Sequence, residues 1–147
     1  MERGGGEAMA IAKVDLESKI LELNGANIKF LDYEVVQGDV EGKKRQLIIV
    51  FEFENTYPRK QMPMEVVMLY FAVRQGDHEL KRGDLRKSVF DKYKAELINL
   101  NTNIESNAPP VGVICYYELE SPDVPIVLTV QDITSKEVYL TKIYELH

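Results

Sequence analysis

From Gln46 to Glu54 the chain sorts its residues strictly by parity. Leu47, Ile49, Phe51 and Phe53 fall on one side; Ile48, Val50, Glu52 and Glu54 fall on the other. Only an extended strand separates two such sets, because a helix would mix them around its axis. One face is therefore core. The opposite face begins apolar and ends acidic, as if a neighbour covered part of it. A strand with a buried face needs a sheet to sit in and a second layer to pack on. That requirement directs the reading of the remaining chain.

Further strands read at Val66–Gln75, Val111–Leu119, Pro125–Gln131 and Glu137–Tyr144. Ser18–Leu23 is a short opening strand, closed by the turn dipeptide Asn24-Gly25. In Ala26–Val36 the apolar phase runs through Ile28 and Phe30 and then moves to Leu31, Tyr33 and Val35. A one-residue shift sends side chains to the other face, so a bulge is expected near Asp32. Residues 37–43 form a polar hairpin loop with two glycines. Val66–Gln75 is apolar on both phases at its start, which predicts a central strand covered on both sides. Gly76-Asp77 then turns the chain, and His78-Glu79-Leu80 is a short return.

One segment has another period. Leu85, Val89, Tyr93 and Leu97 recur every four residues, flanked by Phe90 and Leu100, so Asp84–Leu100 reads as helix. Asp84 is the expected N-cap, its carboxylate accepting from a free first-turn N–H. Ile98–Ile104 reads as a return to strand. Rigid or polar corners at Asn107-Ala108-Pro109-Pro110, Ser121-Pro122-Asp123 and Thr134-Ser135-Lys136 separate the later strands. Many strands with short turns favour an antiparallel β-sandwich, mainly β, with a short helical insertion near residues 84–97. Residues 1–10 read as an unstructured extension and residues 11–147 as one domain.

A chain of 147 residues can bury one core, and 45% hydrophobic with 29% charged residues is ordinary for a globular domain. The net charge of −6 works against general binding to phosphate backbones. A single cysteine, Cys115, rules out an intrachain disulfide. The longest apolar run, Val66–Val73, has eight residues, whereas a membrane span needs about 20. The polar opening carries no signal-peptide pattern, so the chain reads as cytoplasmic, or as cell-surface if a leader has been removed.

Three stretches carry a family resemblance. They are Leu47–Phe53 running into Asn55-Thr56, Phe71–Asp77 with Glu79-Leu80 behind it, and Tyr116–Leu119 followed by Ser121-Pro122 and Pro125–Val130. Together these residues resemble uncharacterised immunoglobulin-like domains of Gram-positive bacterial surface lipoproteins and mobile elements. The resemblance spans roughly residues 26–133. It implies an immunoglobulin-like β-sandwich and brings no catalytic residues. The sequence departs from that family in having no lipoprotein leader with its cysteine. It also has Pro109-Pro110-Val111-Gly112 where a proline–glycine pair is usual.

Each chemical candidate has a plainer alternative. Cys115 shares a face with Val113 and Tyr117 and has no nearby histidine in sequence, since His78 lies in a hairpin and His147 is the last residue. A buried structural thiol is the better reading. Two histidines and one cysteine far apart do not supply a zinc site. Asp39 and Glu41 between Gly38 and Gly42 faintly suggest a calcium loop, without a regular ligand array. Glu52 with Glu54, and Glu118 with Glu120, have the strand spacing of paired carboxylates, as any acidic strand face would. Lys81, Arg82, Arg86 and Lys87, like Lys43-Lys44-Arg45, form basic clusters on an acidic chain. Arg82-Gly83-Asp84 spells an integrin-type tripeptide, a match short enough to arise by chance. Eight tyrosines with no tryptophan leave Tyr57, Tyr116, Tyr139 and Tyr144 at strand ends or on less apolar faces.

These features point away from an enzyme and from any cofactor, metal or nucleic acid. They point to binding of a protein partner of unknown identity. The expected contact site is the insertion and its adjoining hairpin: Asp77, His78, Lys81, Arg82, Arg86, Lys87, Phe90 and Tyr93. A bare sandwich does not need that segment, and loops on such scaffolds often carry function. Two settings fit: a bacterial surface accessory domain, or a phage or mobile-element protein that inhibits a host factor inside the cell. An exposed edge strand at Glu137–Tyr144 could pair with a second copy.

Overall fold

A computed structural model describes residues 20–37 and 44–146. The elements run β1 (Leu21–Leu23), β2 (Ala26–Val36), β3 (Gln46–Asn55), α1 (Pro63–Tyr70), β4 (Phe71–Gln75), β5 (His78–Glu79), α2 (Lys87–Lys92), α3 (Lys94–Leu100), β6 (Val111–Glu118), β7 (Ile126–Gln131) and β8 (Val138–Tyr144). Two four-stranded sheets form, ordered β1-β2-β3-β6 and β5-β4-β7-β8, and every strand pair in them is antiparallel. This is the β-sandwich that the alternation demands.

The core lies between the sheets, on the parity read from the sequence. Leu47, Ile49, Phe51 and Phe53 are fully buried, as are Val113, Ile126, Leu128 and Val130. Three rings tie the layers together. Phe30 of β2 and Phe51 of β3 lie 6.1 Å apart, and both meet Phe71 of β4 from the opposite sheet, at 5.7 and 5.6 Å. Tilted contacts at these distances add to the area that the rings bury. The phase shift in β2 is a bulge, as expected: Phe30 pairs with Phe51 and Asp32 with Val50, so Leu31 is left over. Gly25 takes a φ of +101° in the β1–β2 turn. A Cβ there would also lie 3.0 Å from the Tyr57 ring.

The structure corrects three expectations. Val66–Gln75 is not one strand. Its first half belongs to helix α1, and only Phe71–Gln75 is strand. Pro63 presets the first turn, and the Glu65 carboxylate accepts from the Met62 N–H at 3.3 Å. α1 sends Met64, Val66 and Val67 into the inter-sheet core and leaves Met68 73% exposed, so the segment is not covered on both sides. An apolar run without period does not distinguish helix from strand.

Secondly, Asp84–Leu100 is not one helix capped by Asp84. α2 begins at Lys87 with Arg86 as its N-cap residue, and α2 and α3 meet at Tyr93, whose φ/ψ of −116°/32° breaks the helix. Asp84 instead offers its backbone carbonyl to Gln46 Nε2 at 2.7 Å. Thirdly, Ile98–Leu100 finish α3, and the return to strand reduces to a single bridge between Ile104 and Gln61. Tyr144, placed at a strand end or on a less apolar face, ends β8 and is 2% exposed. The extension at residues 1–10, the loop acids Asp39 and Glu41, and His147 lie outside the described residues.

A helical insertion near residues 84–97 is present all the same, and its place explains the mixed outer face of β3. Val89 packs on Ile48 and Ile114 of the first sheet, with Leu85, Tyr93 and Leu97 around them. The apolar start of that face is the part the helices cover.

Candidate contact surface on the insertion

The expected contact residues fall into three structural groups. Asp77 and His78 are exposed at the tip of the β4–β5 hairpin, where Gly76 takes a φ of +60°. Lys81 and Arg82 are exposed on a stretch without regular structure that passes along β6, where the Lys81 carbonyl accepts from Glu118 N–H at 2.6 Å. Arg82 also lies 5.7 Å over the Tyr116 ring. Arg86, Lys87, Phe90 and Tyr93 belong to the helical part over the first sheet.

That last group is mixed in character. Phe90 is 45% exposed and projects as an apolar side chain. Lys87 pairs with Asp91 at 2.9 Å, an exposed i,i+4 contact of small energetic weight. Tyr93 is an anchor: its hydroxyl donates to the Glu34 carboxylate of β2, which also takes Lys92 Nζ at 2.7 Å. The Lys92 hydrogen bond, then that of Tyr93, holds the Glu34 carboxyl below its usual range. Burial, and then the Glu34 contact, pushes the Tyr93 phenol up to about 12. Arg86 is buried, at 6% exposure. Sequence reasoning had placed it with the surface cations, because charge alone does not reveal depth.

Sequence reasoning passed over three amides that organise this end of the molecule and its opposite. Gln46 is fully buried; its Nε2 donates to the Asp84 carbonyl and its Oε1 accepts from the Arg86 N–H at 3.4 Å. Asn55 donates to the carbonyls of Arg59 and Ile104 at 2.8 and 2.9 Å. Gln75, at 2% exposure, holds the segment around Ser121. The available signal was positional: each sits at the end of a strand, on the boundary between an apolar run and a loop.

The other candidates resolve by geometry. Cys115 is 1% exposed, and burial pushes its thiol up to about 12, the opposite of an activated nucleophile. Glu52 and Glu54 line a depression of about 20 Å³ with Asn27 and Lys29, and Glu54 accepts from Asn27 Nδ2 at 3.1 Å. A slit of about 150 Å³ between β2 and β8 is lined by Phe30, Leu31, Asp32, Tyr33, Lys142 and Tyr144. Small-molecule sites are typically larger, on the order of 300 Å³ or more. Among the described residues no helix is long and apolar enough to cross a membrane.

A sandwich of two antiparallel four-stranded sheets, with two short helices over one of them, is the class of domain that this geometry defines. Residues 7–132 match the family described as "Domain of unknown function (DUF5067)", and the chain belongs to that family. Its fold is similar to that of a "putative lipoprotein" from Staphylococcus aureus, with a TM-score of 0.71 and 18% identity over 89% of this chain and 90% of that one. It is also similar to the solved structure of a protein from Enterococcus faecalis, with a TM-score of 0.64 and 18% identity over 93% of this chain and all of that one. No curated protein matches the sequence.

Proposed function

We propose that this protein is a non-catalytic accessory domain of the bacterial cell surface that binds a protein partner through the 77–93 segment. The observation that carries the setting is the likeness in fold to the staphylococcal protein described as a lipoprotein, over most of both chains. It favours the surface reading over the cytoplasmic one and over intracellular inhibition of a host factor. The kinship with immunoglobulin-like domains is part of the same proposal, supported by the two face-to-face antiparallel sheets.

The binding role draws on the exposed Phe90, whose helix α2 also carries the exposed charges Lys87 and Asp91. An apolar side chain rimmed by charge suits protein contact better than turnover of a small substrate. Protease treatment of intact cells that produce the natural protein tests the setting. Digestion of the domain without cell lysis is expected, whereas protection until lysis would return the reading to the cytoplasm. Cross-linking from position 90 on such cells tests the surface, with one dominant protein adduct expected and none if the segment is idle. Pairing of two copies through β8 belongs to the same proposal, and light scattering reads it directly.

A further inference from the structure

Arg86 presents a physical problem in the fold. The residue is 6% exposed, and among the described residues its buried Nε and Nη2 atoms have no hydrogen-bond partner. A guanidinium is a permanent cation in proteins, and burying such donors unpaired is among the costliest arrangements a fold can hold. Nη1 is accounted for, donating to the Asp84 carbonyl at 3.3 Å. The backbone N–H of Arg86 is held by Gln46 Oε1. The group is therefore fixed at its root and on one corner, and bare on the rest.

The bare atoms are not a random pair. Nε–H and one N–H of Nη2 point in parallel along one edge of the planar guanidinium. That edge grips the two oxygens of a carboxylate in a bidentate fork. Among the described residues, no acid lies within ion-pair distance of it: the salt bridges there join Lys44 to Glu120, Lys60 to Glu105, Lys87 to Asp91 and Lys92 to Glu34. Lys81 and Arg82 are likewise absent from those pairs. Among the described residues, three cations in six residues thus stand without an ion pair, on a chain of net charge −6. The Glu118 carboxylate lies against Gly83, 3.0 Å from where a Cβ would sit, and Asp84 offers its carbonyl.

We propose that the Nε–Nη2 edge of Arg86 is a binding site for a carboxylate brought by a protein partner as an aspartate or glutamate side chain. The inference rests on the protein-binding reading above and names the chemistry that the partner must carry. Residues 81–84, which lead into Arg86 along the chain, are exposed and without regular structure, with Gly83 at a φ of +65°. A bound carboxylate would meet two charge-assisted hydrogen bonds in a water-poor site, where they are stronger than at the surface.

Arginine side-chain NMR on the whole chain tests this, with the Arg86 Nε–Hε signal assigned through bonds from its backbone. The probes are N-acetyl-glutamate amide and its neutral twin, N-acetyl-glutamine amide. A saturable shift of the Arg86 signal with the glutamate compound alone is expected. In Arg86→Lys, which keeps the charge and loses the fork, affinity read from backbone shifts should fall about tenfold. Glu118→Gln controls for a competing acid and should bind at least as well as the wild type. An unmoved Arg86 signal, or an equal response to both probes, would overturn the proposal, as would unchanged affinity in a folded Arg86→Lys. Failure here leaves protease accessibility and the position-90 cross-link unaffected, so the two proposals fail separately.

Discussion

Gln75 and Ser121 are joined twice through one side-chain amide: Gln75 Nε2 donates to the Ser121 carbonyl at 2.9 Å, and Gln75 Oε1 accepts from the Ser121 N–H at 3.0 Å. The same amide reaches the Val124 carbonyl and the Glu120 N–H, each at 2.8 Å. Gln75→Ala leaves these backbone groups to find other partners. A loss of about 2–4 kcal/mol is expected. Urea unfolding measures it, and a change below roughly 0.5 kcal/mol would mean that water replaces the amide without strain.

Phe51 touches ring partners in both layers, so its removal opens a void that neither sheet can close alone. Phe51→Ala is expected to cost about 3–5 kcal/mol, and Phe51→Leu distinctly less. If calorimetry finds the two variants equally destabilised, the three-ring contact is not what joins the sheets.

Gly83 and Gly76 separate backbone strain from crowding. Both lie in the left-handed region, but a Cβ at Gly76 meets nothing within 4 Å, whereas one at Gly83 meets Glu118 atoms at 3.0 Å and its Cβ at 3.2 Å. Gly76→Ala should cost about 1 kcal/mol from conformation alone. Gly83→Ala should cost more, because the base of Glu118 on β6 has little freedom to retreat. Equal losses in thermal melts would show that the 81–86 stretch shifts freely.

Cys115 gives a pH signature. Its thiol stands near 9.0 when unfolded and is pushed up to about 12 by burial, so the folded state holds the proton more tightly. Its contribution is therefore complete below pH 9.0 and is lost as pH climbs from there towards about 12. The stability gap between wild type and Cys115→Ala should narrow over that window, with native protein resisting thiol reagents at neutral pH. A constant gap across the window would contradict the assignment.

The sandwich was legible because β3 separates its faces by parity, and the bulge at Leu31 because a phase slip is a local signal. α1 was illegible for a related reason. Val66–Val73 is apolar in every register, so no period existed to detect, and the signs that mattered were Pro63 and Glu65, just upstream of the expected strand. The break at Tyr93 was hidden because Val89, Tyr93 and Leu97 keep helical spacing across it, and the bond from Tyr93 to Glu34 is a tertiary contact that no local pattern reports. Of the proposed contact surface, only the residue types were legible. Sequence identifies Arg86 as a cation, but its depth depends on how residues 80–86 cross to the first sheet, guided by Gln46 from the far side of the chain.

Tyr70 closes α1 and Phe71 opens β4, with no residue between them. Chain length is therefore quantised at this joint. One added or deleted residue would turn Phe71 and Val73 out of the core, and an added pair would restore their facing only by displacing the helix that Pro63 pins at its other end. The exposed turn at 133–136 between β7 and β8 carries no such arithmetic. Grafts and tags belong there, and the helix–strand joint should be left at its present length.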